Sequence, residues 1–288
     1  MRYDHNGDMA VLSGLDSFDI GQTLECGQCF RYRRLSGAPG FKEYCITAHG
    51  KLLLARQADD LLYLYPTTRQ EYKTIWASYF DTRRDYASIK NDLKQRDPIA
   101  GQAAQAGGGI RILKQDPWEC LVSFIISQNN NIPRIKKIID SLCKNFGDSI
   151  GWGVKGFPTP KKLASLTDED MAVCKAGFRT KYILEAAQRV HSGQADFSAM
   201  ADLPTLELKK QLMAFKGVGP KIADCELLFA FGRTEVFPTD VWIQRIMRNL
   251  YFKGEEVPLK DIQALALAKF GSNAGFAQQY LYYKAQFD

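Results

Sequence analysis

The chain has 288 residues, enough for one large domain or two ordinary ones with a sizeable core. A composition of 45% hydrophobic and 24% charged residues is typical of a globular protein, and no apolar run is long enough to span a bilayer. The net charge of +6 is compatible with a polyanionic partner, but charge alone does not identify one.

Cysteine usage predicts an intracellular protein. The seven cysteines are an odd number scattered along the chain, which indicates reduced thiols. The first ten residues lack the apolar core of a signal peptide. Cys26 and Cys29 form a Cys-x-x-Cys pair, for which a metal or redox role is a distant alternative. A zinc site needs four ligands, and the chain offers three histidines and no second pair.

The first third of the chain is predicted to be rich in β-strands. Short aromatic or β-branched segments occur at Cys29–Arg33, Glu43–Thr47 and Leu61–Tyr65, separated by turns such as Ser36–Gly40. This pattern favours an antiparallel sheet, with helices following near residues 69–96. The stretch Ala100–Gly109 consists of small residues and glutamine, which predicts a linker or a loosely held connection.

The pattern changes to helices from Asp116 onward. Asp116 is a predicted N-cap and Pro117 the first helical residue, followed by an apolar stripe that includes Leu121 and Ile125. Similar stripes recur at 132–145, 160–166, 179–190, 205–215, 221–231, 240–250 and 258–269. The sequence therefore predicts an α+β protein, with an N-terminal antiparallel β-sheet domain at 1–108 and an all-α domain at 109–288.

Residues 214–241 combine three chemical groups in one short segment. A Gly-Val-Gly turn at 217–219 leads through a proline into Lys221, and Asp240 follows 19 residues later. Glycines at a helix N-terminus leave amides free for a phosphate, and the helix dipole disfavours a charged lysine there. The segment predicts covalent chemistry on a nucleic-acid sugar. The amides that can face a phosphate are those of Gly217, Gly219 and Ile222.

Four segments in the same order resemble the helix-hairpin-helix DNA glycosylases, and more narrowly the 8-oxoguanine DNA glycosylases. They are Glu25–Arg31, Gln115–Cys120 with Ser127–Arg134, Leu212–Ala223 with Pro238 and Asp240, and Ala274–Gln278. The resemblance spans nearly the whole chain. It implies a TBP-like N-terminal sheet, a helical HhH-GPD catalytic domain, and a bifunctional enzyme that excises an oxidised guanine and then nicks the strand.

The resemblance assigns the chemistry to Lys221 and Asp240. An unprotonated lysine amine that attacks C1′ of a nucleoside gives a Schiff base, which acidifies the sugar for β-elimination. A nearby carboxylate stabilises the positive charge that develops on the sugar as the base departs. On residue grounds alone, Lys221 could be a solvated lysine and Asp240 a helix N-cap, and capping is compatible with catalysis.

Lesion recognition is implied for four residues. N7 of 8-oxoguanine carries a hydrogen that guanine lacks, so the Gly27 carbonyl would accept from the lesion and repel the normal base. Cys225 and Tyr282 would cover the two faces of the flipped base, and Gln278 would read its Watson–Crick edge. A phenylalanine is common in the family where Tyr282 stands. Each of the four could otherwise belong to plain core, strand or surface.

The resemblance also implies contacts with the rest of the duplex. Asn129 would enter the gap left by the flipped base, and Arg134 and Arg179 would donate to the orphaned cytosine, so cytosine is the expected opposite base. Phe178 stands where a tyrosine is usual and would wedge the duplex by stacking. Trp242 replaces a histidine that touches a phosphate, which leaves this contact open.

The resemblance implies no required cofactor and a monomer bound to lesion-containing duplex DNA, without a membrane. A structural cation at the hairpin would be held by the backbone carbonyls of Met213, Phe215 and Val218.

Two alternatives compete with this interpretation. The same fold could serve as a monofunctional glycosylase for alkylated or other bases, which would use water and Asp240 only; the presence of Lys221 argues against it. The hairpin could also be a non-catalytic DNA-binding module, or a bare packing corner between helices.

Overall fold

The computed structural model describes residues 1–36 and 39–287, and two features of the sequence lie partly outside this range. The predicted turn at Ser36–Gly40 contains Gly37 and Ala38, which are not among the described residues, and Asp288 is not described either. Within the described part, an N-terminal sheet is followed by helices, so the predicted α+β architecture is confirmed.

The sheet has six antiparallel strands in the order β1-β2-β6-β5-β4-β3. The three strands predicted from sequence correspond to β3, β4 and β6, while β1, β2 and β5 were missed. The strands are β1 (Arg2–Asn6), β2 (Met9–Ser13), β3 (Tyr32–Arg34), β4 (Lys42–Ala48), β5 (Lys51–Ala58) and β6 (Leu61–Tyr65).

One face of the sheet forms a core with the helices beside it. Alternate residues of β4, such as Tyr44 and Ile46, are buried, as the two-residue period of a strand requires. They join Trp76 and Phe80 in one hydrophobic cluster. The helical elements of this region are α1 (Ile20–Glu25), α2 (Arg69–Glu71), a π-helical turn (Tyr72–Trp76), α3 (Ala77–Tyr79) and α4 (Tyr86–Arg96).

The prediction of a linker at Ala100–Gly109 was wrong. Most of this stretch belongs to helix α5 (Pro98–Ala106). Asp97 is its N-cap, and the Asp97 side chain accepts from the Ala100 amide at 2.9 Å. Ala100, Ala103 and Ala104 are buried, and Gly101 allows close packing, since a Cβ there would lie 2.9 Å from the Lys94 Cα in α4. Asp97 also binds Lys269 and the Tyr251 hydroxyl, each at 2.8 Å.

The helical half is built around a second, larger hydrophobic cluster. Its first helix begins as predicted, since the Asp116 carboxylate caps the Glu119 amide at 2.9 Å and Pro117 is the first helical residue. The longer helices are α6 (Pro117–Ser127), α7 (Ile132–Phe146), α10 (Arg179–His191), α12 (Thr205–Met213), α13 (Pro220–Phe229), α14 (Val241–Tyr251), α15 (Leu259–Phe270) and α16 (Ala274–Phe287). Shorter ones are α8 (Pro160–Ala164), α9 (Asp168–Met171) and α11 (Phe197–Met200).

The two halves are joined by more than chain connectivity. Cys26 and Phe30, which precede β3, belong to the core of the helical half. Arg31 pairs with Glu119 of α6 at 3.2 Å, and both side chains are largely buried. A domain boundary after residue 108 stays a prediction. Among the described residues, no helix has the length and apolarity needed to cross a membrane.

Candidate active site

A helical hairpin places Lys221 at the start of α13. The hairpin consists of α12, a turn at residues 214–219, and α13. Gly217 has φ +79°, and a Cβ there would lie 2.4 Å from the Tyr182 ring, so this position needs glycine in both conformation and space. The first intrahelical bond shown at this end runs from the Ala223 amide to the Gly219 carbonyl at 3.0 Å. Amides in the first turn, including that of Ile222, precede it and lack intrahelical acceptors.

Lys221 is half-buried at the edge of an apolar surface. Its Nζ lies 5.0 Å from the centroid of the Phe124 ring in α6. Cys225 follows one helical turn later and is buried on the same face. Burial raises the pKa of the Cys225 thiol to about 11, and the neighbouring Lys221 opposes that rise. The thiol is therefore neutral and adds a weakly polar group to the cavity wall near the amine.

Asp240 lies at the beginning of α14. One carboxylate oxygen accepts from the Ile243 amide at 2.8 Å, which confirms the predicted N-cap. This bond fixes the side chain at a helix N-terminus, where a negative charge is stabilised. The second oxygen is not needed for capping. Asp240 can therefore cap its helix and face the neighbouring cavity at the same time.

A cavity of about 570 Å³ brings the predicted chemical and base-recognition residues together. That volume falls within the range of small-molecule sites. Gln278 is 6% exposed, and its side-chain carbonyl oxygen has no hydrogen-bond partner in the described part of the chain. A buried unpaired acceptor is costly unless a ligand satisfies it. The cavity is lined by Gly27, Lys221, Cys225, Asp240, Gln278 and Tyr282.

Gly27 and Tyr282 are in direct proximity at this cavity. Gly27 has φ +84°, and a Cβ at this position would lie 3.3 Å from the Tyr282 ring. Burial raises the pKa of the Tyr282 hydroxyl, as does the charge of Asp240. Tyr282 and Gln278 are four residues apart on α16, so they project from one face of that helix. This helix was absent from the predicted elements, although its residues were identified by resemblance.

Sequence reasoning missed the aromatic wall beside the lysine. Phe124 stacks on Phe229 with ring centroids 5.5 Å apart, and both rings line the cavity. They lie on α6 and α13, where the apolar helical stripes indicated core but not an orientation. Only the packing of these two helices turns the rings toward Lys221.

Arg179 is oriented toward the protein backbone. Its side chain is buried, and its guanidinium donates to the carbonyls of Gln128, Asn129 and Ala176. Asn129 is exposed and has φ +45°, an uncommon conformation for a residue with a side chain. Arg179 thus holds the turn that presents Asn129. A contact of either residue with DNA stays a prediction.

Three other residues expected at the DNA are exposed near the cavity mouth or beside this turn. Arg134 is exposed at the start of α7, and Phe178 is 53% exposed with the Arg179 guanidinium 4.4 Å from its ring centroid. Trp242 is 60% exposed and lines the cavity. Exposed aromatic side chains of this size suit stacking on bases or sugars. Their roles in DNA binding stay predictions.

The structure gives little support to a metal or redox role for Cys26 and Cys29. Both are buried free thiols. Burial raises the pKa of Cys26 to about 12, which disfavours the thiolate that metal binding and disulfide exchange require. In residues 1–36 and 39–287, no group of three His, Cys, Asp or Glu side chains is arranged to hold a metal ion.

Comparison with known families decides the assignment. Residues 11–121 match the 8-oxoguanine DNA glycosylase N-terminal domain, and residues 122–270 match the HhH-GPD superfamily of base excision DNA repair proteins. The chain belongs to the HhH-GPD superfamily. Both matches agree with the predicted resemblance. The hairpin with Lys221 and the cavity beside it therefore belong to a fold of DNA base excision repair.

Individual HhH-GPD proteins show the extent of the similarity. The N-glycosylase/DNA lyase of Saccharomyces cerevisiae is 35% identical over 213 residues, which cover 61% of this chain and 57% of the yeast protein. The N-glycosylase/DNA lyase OGG1 of Arabidopsis thaliana is 30% identical over 278 residues, which cover 90% of this chain and 75% of the Arabidopsis protein.

A solved structure matches over the full length. It is the 8-oxoguanine glycosylase/lyase of Clostridium acetobutylicum in complex with double-stranded DNA containing cytosine opposite 8-oxoG. That protein is 36% identical, with a TM-score of 0.94 and coverage of 100% of this chain and 98% of its own.

Proposed function

We propose that this protein is a base-excision-repair DNA glycosylase that removes 8-oxoguanine from duplex DNA and then cleaves the strand as an AP lyase. The observation that carries the proposal is the cavity in which the Lys221 amine, the Asp240 carboxylate and the unpaired Gln278 carbonyl meet. Relatives named N-glycosylase/DNA lyase support the same pair of activities.

Lys221 supplies the nucleophile. Its amine forms a bond to C1′ as the glycosidic bond breaks, and the electron pair of that bond leaves with the base, which takes up a proton. The sugar then opens to an imine. Loss of a C2′ proton expels the 3′ phosphate and nicks the strand. Asp240 stabilises the positive charge that develops on the sugar, from a position fixed by its cap on the Ile243 amide.

The cavity wall reads the base. The Gly27 carbonyl accepts the N7–H that 8-oxoguanine has and guanine lacks. The Gln278 amide pairs with the Watson–Crick edge, which satisfies its buried oxygen. Cys225 and Tyr282 cover the two faces of the ring. The proximity of Tyr282 to Gly27 supports this division, because the Gly27 carbonyl can then reach the N7 edge of a base whose face is covered by Tyr282.

The surrounding surface binds the duplex, with cytosine opposite the lesion. The amides of Gly217, Gly219 and Ile222 face a phosphate at the hairpin. The nearby carbonyls of Met213, Phe215 and Val218 hold a structural cation, while catalysis needs no cofactor. Other DNA contacts come from Asn129, Arg134, Phe178, Arg179 and Trp242. The protein acts inside the cell as a DNA-associated monomer.

A covalent trap tests the chemistry. Borohydride reduction on a duplex with 8-oxoguanine opposite cytosine should link wild-type protein to DNA, because hydride reduces the imine to a stable amine. Lys221→Gln should lose the adduct and keep DNA binding. Lys210→Gln is the matched control, since this lysine lies on α12 of the same hairpin with a 76% exposed side chain.

The outcomes separate the alternatives. Base release by the wild type without any adduct would mean a monofunctional glycosylase. DNA binding with no release of 8-oxoguanine at saturating protein would mean a non-catalytic module. An adduct that persists in Lys221→Gln would mean that another amine is the nucleophile.

A further inference from the structure

The backbone on both sides of Gly27 is held by two glutamine side chains, of which Gln279 is buried and Gln115 half-buried. Gln279 Nε2 donates to the Cys26 carbonyl at 2.7 Å, and Gln115 Nε2 donates to the Gln28 carbonyl at 2.7 Å. In the part of the chain that the structure describes, no hydrogen bond ends on the Gly27 carbonyl between them. Among the described residues, the carbonyls of Cys26 and Gln28 thus accept hydrogen bonds, whereas that of Gly27, which lies at the cavity, accepts none.

The side chain of Gln28 fixes the same segment from the opposite side. It is fully buried, and its Nε2 donates to the carbonyls of Thr23 at 2.7 Å and Arg111 at 2.8 Å. Its Oε1 accepts from the Leu113 amide at 2.9 Å. Both donor hydrogens and the acceptor are therefore used, which orients the amide uniquely.

The two glutamines that bind the flanking carbonyls are themselves fixed to the elements that bear the cavity. The backbone N–H of Gln115 donates to the Phe229 carbonyl at 2.7 Å. Phe229 is the last residue of α13, the helix that carries Lys221 and Cys225. Gln279 is 3% exposed and adjoins Gln278 on α16. The position of the Gly27 carbonyl is thus set relative to both helices that form the rest of the cavity.

From this arrangement we infer that Gln115 and Gln279 are positioning residues for lesion specificity. They hold the Cys26–Gln28 backbone so that the Gly27 carbonyl stays directed at N7 of the base, an inference that rests on the proposed function. The left-handed conformation of Gly27 is one in which few other residues would be stable, so the segment depends on these external bonds to keep its geometry. Neither glutamine needs to touch the base.

Removing one donor without changing side-chain volume tests the inference. Gln279→Met and Gln115→Met keep length and lose the hydrogen bond. Gln57→Met is the control, because Gln57 also binds backbone away from the cavity: its Nε2 donates to the Phe18 carbonyl at 2.9 Å and its Oε1 accepts from the Ile20 amide at 2.7 Å. Single-turnover release of 8-oxoguanine opposite cytosine is compared with β-elimination at a preformed abasic site, which has no base to read.

We expect base release to fall about tenfold in both variants, the typical effect of one lost hydrogen bond, with abasic-site cleavage unchanged. Preference for 8-oxoguanine over guanine in binding to non-cleavable duplexes should fall by a similar factor. Gln57→Met should change neither the rate of base release relative to abasic-site cleavage nor the binding preference for 8-oxoguanine over guanine. If Gln279→Met folds poorly, Gln115→Met supplies the same comparison from the other flank.

Equal losses of base release and abasic-site cleavage would overturn the inference, because they indicate a general structural defect. Unchanged base release in both variants would overturn it as well, while leaving the proposed function intact. Failure of the wild type to release 8-oxoguanine would overturn both the proposed function and the inference.

Discussion

Gly217 and Gly219 lie two residues apart in the hairpin turn but differ in what they require. Gly217 has a positive φ and no room for a Cβ beside Tyr182. Gly219 has φ −92°, and a Cβ there would meet nothing within 4 Å. The repeated glycine in the sequence therefore has two different physical reasons. At Gly217 it permits the turn, whereas at Gly219 it leaves the helix N-terminus uncovered.

A pair of alanine substitutions separates these reasons. Gly217→Ala should lower the free energy of unfolding by about 2 kcal/mol, because it adds backbone strain and a clash with an aromatic ring. Gly219→Ala should cost less than about 1 kcal/mol, the usual penalty of a poor N-cap. Urea denaturation measures both. Equal destabilisation by the two changes would contradict this assignment.

Helix α13 carries an unusual buried acid behind its reactive face. Glu226 is fully buried, and its carboxyl group lies against the buried Cys120 thiol. Burial raises the pKa of Glu226 well above its ordinary value. The folded protein therefore keeps Glu226 protonated under conditions in which the unfolded chain ionises it. Folding in that pH range is therefore accompanied by proton uptake at Glu226.

The pH dependence of stability tests this feature of α13. Because the pKa of Glu226 is higher in the folded protein than in the unfolded chain, the free energy of unfolding decreases as pH rises from the unfolded pKa toward the folded pKa. Glu226→Gln removes this loss, so its advantage in unfolding free energy should grow by on the order of 1 kcal/mol per pH unit as pH rises above about 5, for as long as Glu226 stays protonated in the folded protein. Glu207→Gln, at an exposed glutamate of α12, is the control. A pH-independent difference between Glu226→Gln and wild type would refute the assignment.

At the scale of the whole molecule, the Arg31–Glu119 pair connects the sheet half to the helical half. The Arg31 side chain is 7% exposed and that of Glu119 13%, and Arg31 also donates to the Lys155 carbonyl at 2.6 Å. The contact lies just after the Cys26–Gln28 segment in sequence. It therefore supports the same connection between halves that brings Gly27 to the cavity.

Breaking this pair should destabilise the whole protein. Arg31→Met leaves Glu119, whose pKa burial raises to about 7, without its partner, so we expect a loss of about 3 kcal/mol in unfolding free energy at a pH above that value. Adding Glu119→Gln should recover part of that loss, since the unpaired charge is removed. Lys210→Met, which breaks an exposed pair with Glu207, should cost less than about 1 kcal/mol. Chemical denaturation of wild type, Arg31→Met, Glu119→Gln and the double variant gives the coupling energy, with Lys210→Met as the control.

How much the sequence predicted depended on whether a signal was local. The Asp116-Pro117 start was predicted correctly because cap and proline adjoin the apolar stripe. The same Asp-Pro signal at Asp97 was overlooked, because the small residues after it were interpreted as a linker. Helix α16 has no exposed face along residues 274–281, all of which are buried, so its residues show no alternation of apolar and solvated positions that would indicate a helix.

For the candidate site, too, the features that could be recognised from the sequence were those with a local signal. Lys221 and Asp240 are recognisable because their hairpin is one continuous segment. The hydrogen bonds that hold the backbone around Gly27 cannot be recognised from the sequence, since Gln28, Gln115 and Gln279 come together only in the folded chain. A glutamine at any one of these positions has no local pattern that marks it as structural. Such long-range contacts depend on tertiary packing, which sequence periodicity does not report.

The placement of Gln278 and Tyr282 on α16 has a consequence for biosynthesis. This helix follows every other described element in the chain, and chains generally fold from the N-terminal side as they are made. A nascent chain that ends before α16 already contains the amine of Lys221 but lacks one wall of the cavity. Closure of the cavity on the Gln278 and Tyr282 side therefore requires a helix that is made after Lys221 and Asp240.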